Sequence, residues 1–199
     1  NEDHNKKIVM VSDMNSNLST YDNGLRFIAN WKHNYIFYDN ILKLSQKNPD
    51  INFVIKGKNY NFMNIPYFNN IKKIIEKSPN VKLYEEKNNS AYDLIDKVAL
   101  TISAPSSLID EILFKKKSII ILETVDGYPS NLFAYGKNLK NLIVKNYNDL
   151  EEKFNLWKQD PKKFNENINV VANNFFPHNR LTKTVKEILH QHLEDHYNF

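Results

Sequence analysis

Two short loops, residues 12–20 and 103–107, concentrate small hydroxyl and amide side chains in a chain that is otherwise rich in lysine and isoleucine. Each loop directly follows an apolar run of the kind found in strands that are buried on both faces. Serine hydroxyls and the unpaired N–H groups at the start of a helix bind anions such as phosphate. The two loops are therefore candidates for one anion-binding crevice. Its candidate binding residues are Ser12, Asn15, Ser103, Ser106 and Ser107.

The serines of the second loop also have a purely structural interpretation. Pro105 precedes an apolar helical pattern, and Ser106 or Ser107 can act as the N-cap of that helix. Ser107 and Asp110 have the spacing of a capping box in which aspartate replaces the usual glutamate. Both interpretations, anion binding and capping alone, remain open from the sequence.

Further polar residues could complete a nucleotide site around this crevice. Lys56 and Lys58 follow an apolar run and could offset the charge of a diphosphate, although surface lysines are commonly only solvated. Tyr84 opens a polar loop that could border a base pocket. Glu111, one turn into the predicted helix, could accept hydrogen bonds from a ribose diol. Its alternative is a solvated carboxylate that the first turn of a helix favours.

Composition excludes several other kinds of site. The chain has 199 residues, 41% of them hydrophobic, and no cysteine, which excludes disulfides, thiolate metal sites and a cysteine nucleophile. With four glycines it has no glycine-rich phosphate loop. No apolar run approaches the roughly 18 residues of a membrane span. Of 27 basic residues only Arg26 and Arg180 are arginine, so the net charge of +4 does not indicate a nucleic-acid partner.

The elements that position these residues follow from periodicity. Short apolar runs alternate with segments of helical period, which predicts an α/β fold with a parallel sheet and right-handed crossovers. The predicted strands are residues 7–12, 52–55, 81–84, 98–102, 119–122 and 142–144. In the strand order 3-2-1-4-5-6 the order reverses between strands one and four, where ligands bind in such sheets. Both serine loops would lie there.

The C-terminal third of the chain gives weaker signals. Residues 155–179 are polar and contain Pro161 and Pro177, which predicts a segment that wraps the surface. An apolar stripe over residues 181–193 predicts a long closing helix. Three histidines, His190, His192 and His196, are expected to be a polar helix end and not a metal site. The lysines at 115–117 are expected to form a solvated turn.

Three segments resemble a known family. The run SAPSSLIDEILFKKKSIIILE, residues 103–123, is similar to the carboxyl-terminal domain of GT-B glycosyltransferases, where a strand leads through a small-residue turn into a helix that bears a glutamate. Residues 33–59 and 175–189 resemble the second helix–strand unit and the closing helix of such domains. The pattern looks like bacterial surface-polysaccharide and teichoic-acid-type glycosyl- or glycerophosphotransferases, whose architecture the nucleotide-sugar 2-epimerases share.

The resemblance implies a Rossmann-like three-layer sandwich that binds a nucleotide-activated sugar or alditol donor without a metal or other cofactor. It places Ser106 and Ser107 at the donor phosphates and Glu111 at the ribose, and it leaves the catalytic base unidentified. Residues 1–199 would form one domain, with residues 1–6 as a tail or linker, excised from a larger enzyme whose N-terminal domain binds the acceptor. The parent would be cytoplasmic, with a peripheral association with the inner face of the membrane.

The departures from the family pattern bear on function. Lys56-Gly57-Lys58 stands where many such transferases have Lys-x-His-Pro, so a histidine is missing, and Lys117-Ser118 stands where Lys-Pro is usual. Serines replace the Gly-Gly turn of the epimerases, which disfavours epimerisation. A non-catalytic nucleotide-binding or protein-interaction domain of the same fold is the alternative to a transferase.

Overall fold

The computed structural model describes residues 7–13, 31–57, 60–84, 91–124, 139 and 141–175. Several predicted features lie outside the described residues. They are the tail at residues 1–6, Asn15, Lys58, the predicted closing helix at 181–193 and the three C-terminal histidines. The strands are β1 (Ile8–Ser12), β2 (Asn52–Ile55), β3 (Val81–Leu83), β4 (Leu100–Ser103), β5 (Ile119–Leu122) and β6 (Ile143–Val144). The helices are α1 (Trp31–Lys47), α2 (Asn69–Lys77), α3 (Ala91–Ile95), α4 (Leu108–Phe114), α5 (Tyr147–Gln159) and α6 (Pro161–Phe175). Two short 3-10 helices, Asn61–Asn64 and Pro66–Phe68, precede α2.

The sheet confirms the predicted topology. Its order is β3-β2-β1-β4-β5-β6, and each neighbouring pair is parallel. Every residue of β4 and β5 is buried, because helices cover both faces of the sheet. The strand boundaries agree with prediction to within two residues, the largest difference being at β4, which begins at Leu100 instead of residue 98.

Two helical layers enclose the sheet. Helix α1 packs against α2 and α5, α4 packs against α3 and α6, and α5 also contacts α6. Phe53 of β2 stacks on Phe154 of α5 at 6.0 Å between ring centroids, and Phe154 contacts the fully buried Trp157. The apolar stripes predicted for these helices therefore face the core.

The prediction that residues 155–179 wrap the surface is wrong for residues 155–175, and residues 176–179 lie outside the described residues. Helix α5 continues to Gln159, and α6 begins at Pro161, a residue whose fixed φ suits the first position of a helix. Asp160 caps this helix, since its Oδ1 accepts a hydrogen bond from the Lys163 N–H at 3.0 Å. Phe164 and Ile168, four residues apart, are buried on its inner face. This apolar stripe was not recognised from the sequence because its residues alternate with many asparagines.

The lysine turn at 115–117 is more ordered than a merely solvated turn. Lys115 Nζ lies 2.7 Å from Asp96 Oδ2, and Lys117 Nζ lies 3.7 Å from Asp96 Oδ1. The Lys117 N–H donates to the Ile112 carbonyl and the Lys116 N–H to the Leu113 carbonyl, both at 3.0 Å. This is the Schellman pattern, in which the residue after the C-cap adopts left-handed backbone. Lys116 does so, with φ of 52°.

Replacing Lys116 by glycine is expected to stabilise the protein. A non-glycine residue in the left-handed region costs about 1–2 kcal/mol, and the greater freedom of glycine in the unfolded chain offsets part of that gain. The expected net gain is about 0.5–1 kcal/mol, measured by urea denaturation. Lys116→Ala is the matched control, because alanine removes the charge but keeps the Cβ. An equal gain from alanine would assign the effect to charge.

Candidate functional site

The carboxyl ends of β1 and β4 lie side by side where the strand order reverses. Ser12 and Ser103 are register partners, and the Ala104 N–H donates to the Ser12 carbonyl at 2.8 Å. Both serines are buried, Ser103 completely. The structure therefore brings together the ends of the two strands from which the serine loops depart, which is the position of ligand sites in open parallel sheets.

The loop after β4 holds its serines in three different environments. Ser103 Oγ donates to the Ala104 carbonyl at 2.7 Å and lies 3.4 Å from Ser106 Oγ. Ser106 is half-buried, and Ser107 is exposed at the N-cap of α4. Ser103 and Ser106 thus form a pair at the end of β4, with Ser107 on the outer side.

The predicted capping box is not formed. Ser107 occupies the N-cap, but its side chain makes no cap hydrogen bond. The physical reason is its backbone, with φ of −64° and ψ of −14°, which is helical and not extended as a capping side chain requires. The Ile109 and Asp110 N–H groups instead donate to the carbonyls of Ser106 and Ser107, each at 3.2 Å.

The two acidic residues of α4, Asp110 and Glu111, lie in different environments. Asp110 Oδ1 is buried and has no hydrogen-bond partner among the described residues, and burial raises the pKa of this carboxyl group. Glu111 is half-buried, and its Oε1 lies 3.9 Å from Lys115 Nζ at the opposite end of the helix. The predicted ribose contact of Glu111 stays a prediction.

Lys56 and Tyr84, at the ends of β2 and β3, lie together as a second part of the predicted site. Lys56 Nζ is 5.5 Å from the centroid of the Tyr84 ring, within the range of a cation–π contact. The Tyr60 hydroxyl lies 2.9 Å from the carbonyls of both Ile55 and Tyr84 and joins the two strand ends. Lys56 and Tyr84 are thus fixed one and two strands away from β1.

A buried aspartate at the end of β1 was missed by sequence reasoning. Asp13 directly follows Ser12 and is 7% exposed. Tyr38 of α1 donates its hydroxyl hydrogen to Asp13 Oδ2 at 2.7 Å. Burial and the neighbouring Asp13 raise the pKa of Tyr38 well above its usual value, so Tyr38 remains a donor. The signal in the sequence was an aspartate in the first serine loop, Asp13, together with a tyrosine, Tyr38, among the apolar residues of the helix that follows.

Glu123, a second buried acidic residue, directly follows β5. It is 4% exposed, and its Oε1 has no hydrogen-bond partner among the described residues. Burial raises the pKa of Glu123, and the positive charge of Lys145 partly offsets that rise. Next to it, Thr124 Oγ1 donates to the His33 carbonyl at 3.1 Å, and His33 Nδ1 lies 3.2 Å from the Thr124 carbonyl. These contacts attach the start of α1 to the end of β5.

Comparison with known proteins gives structural matches but no sequence matches. No family model and no curated protein matches the chain. A UDP-GlcNAc 2-epimerase from Neisseria meningitidis bound to UDP-GlcNAc superposes with a TM-score of 0.58 at 17% identity, covering 94% of this chain and 45% of the epimerase. The wall teichoic acid polymerase TagF superposes at 0.54 and 13% identity, covering 96% of this chain and 44% of the polymerase.

A third match is limited to one domain. The C-terminal CMP-Kdo binding domain of WaaA from Acinetobacter baumannii superposes with a TM-score of 0.52 at 9% identity, covering 90% of this chain and 91% of that domain. The chain has the Rossmann-like fold of GT-B enzymes. It spans less than half the length of the epimerase and the polymerase. At these identities the comparison establishes the fold and leaves the chemistry to be argued from the site.

The described residues contain neither a metal-binding group of side chains nor a membrane-spanning helix. No three histidine, aspartate or glutamate side chains there are grouped so that they could hold a metal ion. Within the same residues, no helix has both the length and the apolarity to cross a membrane.

Proposed function

We propose that this chain binds a nucleotide-activated sugar or alditol donor and is the donor-binding domain of a glycosyltransferase. The observation that supports this most directly is the pairing of Ser12 with Ser103 at the reversal of the strand order. Sheets of this order bind ligands in that crevice. A structure of the same fold, matched over 94% of this chain, is described as bound to UDP-GlcNAc.

The charges at the carboxyl edge indicate how such a donor would lie. The buried Asp13 repels phosphate at the end of β1, whereas Ser106 and Ser107 offer hydroxyl donors beside it. Lys56 supplies the positive charge at the edge of β2. These charges support a donor whose diphosphate lies along the loop after β4, with Lys56 and Tyr84 at the border of the site.

The reaction we propose is metal-independent transfer of a sugar or alditol phosphate in surface polysaccharide or glycoconjugate synthesis. The chain would act by positioning the donor and stabilising the leaving diphosphate through hydrogen bonds and Lys56. In this proposal residues 1–199 are one donor-binding domain, and an N-terminal domain of the parent protein supplies the acceptor site. The proposed location is cytoplasmic, with the parent peripheral to the inner face of the membrane.

Binding of nucleotides by the purified chain tests this proposal. Thermal shift and isothermal titration calorimetry should show saturable binding of at least one of UDP, CDP, CMP, UDP-N-acetylglucosamine or CDP-glycerol, and a rise in Tm with ligand concentration. ADP and GDP complete the panel, because the proposal does not specify the base of the donor, and inorganic diphosphate serves as the control for non-specific anion binding. A chain that binds none of these nucleotides at millimolar concentration would refute the proposal.

A non-catalytic nucleotide-binding or protein-interaction domain of the same fold is the second candidate. It is favoured by Lys56-Gly57-Lys58, where the transferases that the chain resembles have a histidine. The two candidates separate in an assay of the parent protein. A transferase turns over its donor, whereas an interaction domain does not.

Lys56→Gln is expected to weaken the binding of a nucleoside diphosphate about fivefold, which corresponds to about 1 kcal/mol. The reason is the loss of a charge-assisted contact to phosphate. The same variant should also flatten the dependence of affinity on salt concentration. Lys82→Gln, which removes an exposed lysine from the middle of β3, is the matched control. Equal losses in both variants would indicate a general effect of net charge.

A further inference from the structure

Glu123 lies at the carboxyl edge of the sheet, directly after β5, and β5 is the neighbour of β4, which ends at Ser103. Its N–H donates to the Val144 carbonyl at 2.9 Å, which continues the pairing of β5 with β6 and fixes the backbone. Ile121 is the register partner of Ser103. Because side chains alternate along a strand, Glu123 lies on the same face of the sheet as Ile121 and Ser103. Neighbouring strands are about 4.8 Å apart, so Glu123 lies beside the proposed donor site.

The carboxyl group of Glu123 differs from the carboxylates that are paired with lysines. It shares with Asp110 a buried oxygen without a hydrogen-bond partner among the described residues, but Glu123 is buried as a whole whereas Asp110 is half-buried. Asp96, Glu151 and Asp50 each lie within 3.0 Å of a lysine amino group. Glu123 is 4% exposed, and its Oε1 is buried without a hydrogen-bond partner among the described residues. Most buried polar atoms in native proteins have a hydrogen-bond partner, so one without a partner calls for an explanation. A bound ligand that supplies the missing hydrogen bond would explain this one.

We propose that Glu123 binds a vicinal diol of the donor, either on the ribose or on the transferred sugar or alditol. This inference rests on the proposed function. A carboxyl oxygen accepts hydrogen bonds from hydroxyl groups, and its two oxygens match two neighbouring hydroxyls. Phosphate is disfavoured as the partner, because an ionised carboxylate repels it. The raised pKa of Glu123 agrees with a desolvated site that lacks its partner.

The position of Glu123 agrees with a donor whose diphosphate and carbohydrate groups are bound by different parts of the site. The serines of the site lie at the ends of β1 and β4 and in the loop after β4, and Lys56 directly follows β2. Glu123 lies on the other side of β4, at the end of β5. A donor whose diphosphate follows the β4 loop would therefore place one of its flanking carbohydrate groups over β5. Thr124, the next residue, is attached to the start of α1 by its contacts with His33.

The test compares wild type, Glu123→Gln and Glu123→Met by isothermal titration calorimetry with UDP, 2′-deoxy-UDP and UDP-N-acetylglucosamine. CDP and CDP-glycerol replace them if the wild type binds only cytidine nucleotides. Loss of a hydrogen bond to a carboxylate is expected to weaken binding about tenfold in Glu123→Met and less in Glu123→Gln. Thr101→Val is the matched control, because Thr101 Oγ1 is also buried without a described partner but lies within β4, below its carboxyl end.

The outcomes separate the two diols and the two proposals. A loss only with the sugar or alditol nucleotide assigns the contact to the transferred group. An equal loss with the nucleoside diphosphate, together with wild-type discrimination against 2′-deoxy-UDP that the variants lack, assigns it to the ribose. Unchanged affinity of both Glu123 variants for every ligand overturns this inference and leaves the proposed function standing. A wild type that binds none of the nucleotides overturns the proposed function itself.

Discussion

Replacing Asn80 by aspartate is expected to reduce the free energy of unfolding by at least about 3 kcal/mol at pH 7. Asn80 is 6% exposed. Its Nδ2 lies 3.0 Å from the carbonyl of Ser45, 3.1 Å from that of Asn48 and 3.0 Å from that of Ile51. A carboxylate at this position would present a negative oxygen to three carbonyl oxygens in a site closed to water, where a charge without a partner is strongly unfavourable.

The contacts of Asn80 explain why this effect should be large. The three carbonyls belong to the end of α1 and to the turn that leads into β2, and Asn80 itself immediately precedes β3. One amide therefore fixes the spacing of a helix and two strands at the edge of the sheet opposite the proposed donor site. The variant should leave the contacts at the ends of β1 and β4 unaltered in any molecules that remain folded.

Urea denaturation at pH 7 and pH 4 checks this prediction. Protonation of the introduced carboxyl group restores one donor and removes the charge, so the loss of stability should be smaller at pH 4 than at pH 7. Asn70→Asp, at an exposed position in the first turn of α2, is the control and should change stability by less than about 0.5 kcal/mol. An Asn80→Asp protein as stable as wild type would show that the Asn80 amide does not make these three contacts.

The parts of the fold that could be predicted from sequence are those that depend on burial alone. In a continuously apolar strand such as Ile119–Leu122, the side chains on both faces are buried only if a layer of helices covers each face of the sheet. Six predicted strands separated by helical stripes leave few topologies, because crossovers are right-handed. The pairing of Ser12 with Ser103 follows from that topology, so the location of the candidate site was predictable before any contact was known.

The parts that could not be predicted depend on whether individual polar groups are buried and on which hydrogen-bond partners they have. Asn80 follows Pro79 in a polar turn, and sequence alone does not distinguish a buried amide from a solvated one. Glu123 likewise follows an apolar strand like any residue of a surface loop. The capping box failed for the same reason, since spacing alone does not determine the backbone angles of Ser107.

The fold and the site support the proposed function to different degrees. Many unrelated activities occur on Rossmann-like sheets, so the structural matches by themselves leave the reaction open. The chain's own evidence is more specific, because serines, a lysine beside an aromatic ring and two buried carboxyl groups share one edge of the sheet. Hydroxyl donors and a cation match a diphosphate, and carboxyl groups match carbohydrate hydroxyls. A nucleotide-activated sugar or alditol contains both.

Replacing Glu123 by methionine is expected to stabilise the ligand-free protein by about 1–3 kcal/mol at pH 7. The buried carboxyl oxygen without a described partner disappears, and an apolar side chain of similar length takes its place. Residues kept at a cost in stability are common where a protein binds its ligand. The same variant should therefore be more stable than wild type and bind the donor less tightly.

The pH dependence of this gain distinguishes a desolvated carboxyl group from a simple packing effect. Burial raises the pKa of Glu123 above its value in the unfolded chain, so the folded state favours the protonated form. The wild-type contribution of Glu123 to stability is then fully present below the unfolded pKa and is lost as the pH rises through the folded pKa. Methionine does not titrate, and the stability difference between variant and wild type should grow from pH 4 upward and level off above the folded pKa.

Urea denaturation of both proteins at intervals between pH 4 and pH 8 measures that difference, and subtraction removes the titration of all other groups that the two proteins share. Leu122→Met is the control for introducing methionine at this end of β5, because it changes packing without removing a charge. Its stability difference should not vary with pH. A constant difference for Glu123→Met as well would mean that the Glu123 carboxyl group titrates alike in the folded and unfolded chain, and that solvent reaches it without any ligand.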